Sequence, residues 1–138
     1  MTTEQTMLVK NSWKKLRNVK AETIGDLFYT KLFFDHPGLR KVFPSQMNQQ
    51  NKKLVDMLSY IVLKIDDFQA IKKDIQALAI SHERYGVKPE HYTMVGSALV
   101  WTLEKAIGKE WNRDLEEAWT ACYSLIAQTM LTASKTVA

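Results

Sequence analysis

His82 and Gln50 each interrupt an otherwise apolar helical stripe, and their types and spacing point to one kind of chemistry. Counting back from His82 in steps of four, three and four gives Leu78, Ile75 and Ile71. Those residues share one face of a helix. The stripe that begins at Gln50 continues through Leu54, Leu58 and Ile61. The spacing predicts that both polar groups point inward, where an amide or imidazole costs free energy unless it is satisfied. Two readings of His82 follow. It is either a core histidine satisfied by hydrogen bonds, or a ligand, since neutral imidazole is the commonest metal ligand among side chains. A flat apolar cofactor between the two helices, with a metal at its centre, would satisfy both polar groups. His82 would ligate the metal and Gln50 would face whatever binds opposite. The hydroxyl of Ser81 and the carbonyl of Leu78 are then available to orient the other imidazole nitrogen.

Other chemistries fail on spacing. His82-Glu83 opens like the zinc-protease pattern HExxH, but the second histidine's place is taken by Gly86. No GxSxG elbow, Walker loop or GxGxxG is present. His36 belongs to a turn, and His91 is expected near the surface in a first helical turn. The single cysteine, Cys122, rules out an internal disulfide framework and a CxxC metal pair. It shares a stripe with Leu115, Trp119 and Ile126 and reads as inert core.

The elements that position these residues are helices. Five glycines and three prolines punctuate 138 residues, and no strand-like alternation is sustained. The pattern predicts helices over 3–19, opened by the capping box Thr2-x-x-Gln5, and over 21–34, 48–65, a segment ending at Gly86, 89–108 and 113–134. Pro37 and Gly38 break the second, Gly86 closes the fourth, Pro89 opens the fifth and Asn112 caps the last. The chain reads as one all-α domain, 1–138, that buries roughly two thirds of its unfolded surface. It is 46% hydrophobic and 25% charged, with a net charge of +4. The cations are dispersed among acids such as Asp66, Asp67, Glu116 and Glu117, unlike a nucleic-acid reader's concentrated patch. No apolar run approaches transmembrane length and the opening residues lack a signal-peptide core. The expectation is a cytoplasmic protein without nucleic-acid or membrane partners.

The residues also resemble a known family, the globins, over almost the whole chain. "WKKL", "LFYTKLFFDHP" and "LRKVF" resemble the opening of a bacterial globin. "SHERYGVKPEHYTMVGSAL" resembles the segment around the iron-binding histidine of flavohaemoglobins and single-domain globins, including the neuroglobin-like bacterial type. "EAWTACYSLIAQ" resembles their final helix, and the 28-residue interval from Leu54 to His82 fits the family spacing. The resemblance implies a 3-on-3 helical sandwich of six to eight helices enclosing a haem. It makes His82 the metal ligand, Tyr29 and Gln50 the distal pair, Leu54 the apolar residue over the iron and Phe43 the ring packed on the haem. Tyr92 lies beside the proximal histidine, and Leu78, Val87 and Val95 line the haem. Lys53 is either a propionate partner or an ordinary surface lysine. Without CxxCH the haem is expected to be b-type.

That implies a protein that reversibly binds O2, NO and CO, with Tyr29 and Gln50 donating hydrogen bonds to the ligand. Storage and NO dioxygenation with an external reductase are the roles implied. A gas sensor signalling through a partner and a haem-free helical interaction module are the alternatives. Two departures qualify the resemblance. Flavohaemoglobins continue into a reductase domain, and they place a glutamate near Tyr92 where this sequence has Ser134.

Overall fold

The computed structural model describes residues 1–137 and, among their side chains, those through Ala133. Its six α-helices are α1 (Thr3–Lys14), α2 (Ala21–Asp35), α3 (Asn48–Leu63), α4 (Phe68–Arg84), α5 (Pro89–Ile107) and α6 (Arg113–Val137). Short 3-10 segments at Pro37–Val42, Ile65–Asp67 and Gly108–Glu110 join some of them. No strand occurs among the described residues. Ser134 lies outside the described side chains.

Local chemistry sets most of the boundaries. Thr2 and Gln5 cap α1 reciprocally, each at 3.0 Å, which satisfies two amide groups the helix leaves open. Asn112 accepts from the Leu115 N–H at 2.9 Å and starts α6. Gly86 follows α4 with φ +88°, a conformation other residues adopt only under strain. Some expected boundaries move, α6 for one running to Val137 and not 134. α1 stops at Lys14, not Val19, because Lys15, Leu16, Arg17 and Val19 bond three back rather than four. That tighter winding turns Leu16 into the core, where it is 4% exposed. α3 stops at Leu63, and the 3-10 turn that follows buries Ile65.

The helices form two layers. α2, α5 and α6 lie side by side in one; α1, α3 and α4 cover them, α1 and α4 resting on α6 and α3 on α2. Trp119 anchors the stack from α6: fully buried, it donates to the Ser12 hydroxyl at 2.9 Å. Ser12 in turn bonds the Leu8 carbonyl at 2.7 Å, so its polar oxygen is satisfied where it is buried. Within the covering layer α1 meets α3, while the backbones of α3 and α4 stay apart and are bridged by the Tyr60 hydroxyl, which donates to Asp74 Oδ2 at 2.6 Å. Joined by only a short turn, they diverge from it as the arms of a wedge.

Candidate functional site

The wedge explains a pattern that the two stripes share. Leu58 and Ile61 on α3, and Ile71 and Ile75 on α4, lie near the turn and are buried. Further out, Gln50 and Leu54 on one arm and Leu78 and His82 on the other are only half-buried. His82 was expected to point into the protein interior. Instead it lies beyond the part of the stripe that α6 covers, where Ala79 takes the core position. The two polar residues are thus at the open ends of both arms.

His82 has a defined tautomer. Its Nδ1 is 2.8 Å from the Leu78 carbonyl. A carbonyl only accepts, so Nδ1 carries the proton and the Nε2 lone pair is left for a ligand. The Leu78 carbonyl alone does this; Ser81 is exposed. The backbone holds His82 as well, because its carbonyl accepts from the Val87 N–H at 3.0 Å across the Gly86 turn. No group of three or more His, Cys, Asp or Glu side chains suited to a metal occurs among the described residues. A metal held at His82 must therefore bring most of its own coordination sphere.

On the α3 arm, Gln50 donates through Nε2 to the Tyr29 hydroxyl oxygen at 3.3 Å. Tyr29 is 6% exposed, and burial raises its pKa above the ordinary 10.0; the Gln50 bond partly offsets this. It therefore keeps its proton at neutral pH. Since Gln50 supplies the donor, the Tyr29 proton is free for another acceptor. Phe28, Phe33 and Phe43 surround the ring with centroids at 4.8, 5.8 and 5.3 Å. Phe43 sits in an extended segment that Arg40 clamps, its guanidinium donating to the carbonyls of Pro44 (2.7 Å) and Ser45 (2.8 Å). Arg40 also lies over the Phe33 ring at 5.4 Å.

Of the remaining candidates, Tyr92 lines a separate groove between α5 and α6 with Gly96 and Tyr123. Val87, Tyr92 and Val95 are half-buried, and Lys53 is exposed. Burial raises the Tyr92 pKa, with a smaller push from the charge of Glu83. The Tyr123 hydroxyl donates to the Tyr92 carbonyl at 2.7 Å and ties the start of α5 to α6. His36 and His91 line a separate cavity of about 530 Å3, whose walls include neither Tyr29 nor Gln50. His91 accepts the Lys88 N–H at 3.0 Å. Cys122 is buried, its thiol pushed up to about 12 by desolvation, as inert core requires. Asn51 and Tyr123 had no signal in the sequence, since their partners are set by tertiary approach.

The family model described as Globin matches residues 26–130. A globin-like protein of Aquifex aeolicus is 29% identical over 135 residues, covering 98% of this chain and 96% of that protein. The flavohemoprotein of Bacillus subtilis is 32% identical over 114 residues, 80% of this chain but 28% of its own length. The chain thus spans about a third or less of the flavohemoproteins it matches. Among solved structures, a bacterial globin from Campylobacter jejuni superposes with a TM-score of 0.85 at 23% identity, covering 99% of this chain and 98% of that one. An engineered carbene transferase, made from a Rhodothermus marinus protein, superposes with a TM-score of 0.89 at 26% identity. It covers 99% of this chain and 95% of its own.

Proposed function

This chain belongs to the globin family, whose members bind gases at a haem, and from that premise we propose that it binds O2, NO and CO at a b-type haem held in the α3–α4 wedge. The observation that carries the reading is the direction of one hydrogen bond: Gln50 donates to Tyr29, which leaves the Tyr29 proton free.

The residues present fit the group. Leu54, Leu78, Val87 and Val95 offer partly exposed apolar surface that a flat macrocycle would cover. His82 offers the Nε2 lone pair, with its ring fixed by Leu78. The single cysteine is buried in α6, which favours a non-covalently held haem. Lys53, exposed on α3, would pair with a propionate. When bound, haem supplies an iron with a coordination position open to a diatomic ligand.

The protein's part is to discriminate. Phe28, Phe33 and Phe43 exclude water around Tyr29, and in such surroundings a hydrogen bond to a partly negative ligand strengthens. Gln50 polarises the Tyr29 hydroxyl and makes it the better donor. O2 gains more from this than the less polar CO. Slow O2 release suits NO oxidation, NO + O2 + e− → NO3−, better than bulk delivery. Its electron must come from a reductase outside these 138 residues.

Tyr29→Phe tests the reading. O2 release is expected to accelerate about tenfold or more while CO release changes little. Equal changes in both rates would show a packing effect and overturn the distal assignment.

A further inference from the structure

The crossing of α2 and α3 holds a second polar contact one turn from the first. Asn51, next to Gln50, is 4% exposed. Its Nδ2 donates to Asp26 Oδ1 at 2.6 Å, while its own Oδ1 is buried with no hydrogen-bond partner among the described residues. A buried amide with a stranded acceptor is a poor choice for stability alone, since a small apolar side chain would strand nothing. What the amide adds is its reach to Asp26.

Asn51 also marks where the two backbones come closest. A Cβ built on Gly25 would lie 2.7 Å from the Asn51 Cα. Helices that touch at one point can still roll or slide about it, and the Asp26–Asn51 bond opposes both motions. The neighbouring Gln50–Tyr29 bond, at 3.3 Å, is already long. A shift of a few tenths of an ångström breaks it.

We infer that Asp26 and Asn51 are positioning residues for the distal pair. Their bond fixes the roll of α3 on α2 so that Gln50 reaches Tyr29, and so sets how firmly Tyr29 holds a polar ligand. The inference rests on the distal roles proposed above; neither residue is assigned contact with the ligand.

The experiment uses haem-loaded protein carrying Asp26→Ala, Asn51→Ala or Asp26→Asn, alone and combined with Tyr29→Phe. Asp26→Ala and Asn51→Ala are each expected to speed O2 release about threefold or more, to move CO release less than about twofold, and to add nothing in the Tyr29→Phe background. Asp26→Asn keeps an acceptor oxygen and is expected to restore slow release. A second readout needs no gas: urea unfolding of the haem-free protein with Asn51→Ala, Gln50→Ala and both. The unfolding constant of the double variant is expected to differ about threefold or more from the product of the single effects. Equal shifts in O2 and CO release, full additivity with Tyr29→Phe, or no coupling in the haem-free protein would each overturn the positioning role. If Tyr29→Phe alone fails to separate O2 from CO, the distal reading falls and takes the ligand consequence with it. If Tyr29→Phe separates them and the Asp26 and Asn51 variants do not, only the positioning role falls.

Discussion

At the residue scale, the proton on His82 Nδ1 matters as much as the position of the ring. The Leu78 carbonyl makes Nδ1 the protonated nitrogen, so the Nε2 lone pair is kept for the ligand role proposed above. His82→Ala removes the proposed protein bond to iron while leaving the Leu78 carbonyl satisfied within the backbone ladder of α4. The variant is expected to fold but to lose most of its haem on gel filtration, and added imidazole is expected to restore part of it. Retention equal to the parent without imidazole would refute the assignment. Both polar interruptions were legible in the sequence, because each stands out against an apolar stripe of fixed period. Asn51 was not. In the chain it is one polar residue in the run Asn48 to Lys53, and only the approach of Gly25 buries it.

At the element scale, the α2–α3 crossing has no spare room. An alanine Cβ at Gly25 would lie 2.5 Å from the Asn51 Cβ, so the helices must separate to admit it. Such overpacking costs about 1–3 kcal/mol. Gly25→Ala is therefore expected to lower the unfolding free energy by that amount, read from urea unfolding, and to speed O2 release by lengthening the Gln50–Tyr29 bond. Unchanged stability would mean that the crossing relaxes more freely than its geometry implies. The six helices themselves were legible from capping residues, Gly86 and the two helix-flanking prolines, Pro37 and Pro89. The end of α1 was not, since Lys14 to Lys20 contains no breaker and the change of winding answers to burial of Leu16. Nor was the divergence of α3 from α4, because the stripes predict which faces are apolar and not how much of each face the protein covers.

At the scale of the whole molecule, three buried acids tie stability to pH. Burial raises the pKa of Tyr29 and Tyr123 above the ordinary 10.0, and that of Cys122 to about 12. The unfolded chain gives up these protons first, so their contribution is intact below the ordinary values and is lost as pH rises toward the folded ones. Thermal midpoints are expected to hold through neutral pH and to fall steadily above about pH 9; a flat profile to higher pH would contradict this. The wedge has its own effect on the whole. α4 rests on α6 from one side and meets α3 on the other through little besides the Tyr60–Asp74 hydrogen bond near the joining turn, so without haem its outer turns have little to hold them. Its amides are expected to exchange with deuterium before those of α1 and α6, through local opening rather than global unfolding. Whatever fills the wedge binds the closed form and slows that exchange in proportion to its free concentration. Protection of α4, followed while haem is titrated in, then reports occupancy of the site through the backbone, with no gas, no colour and no turnover needed.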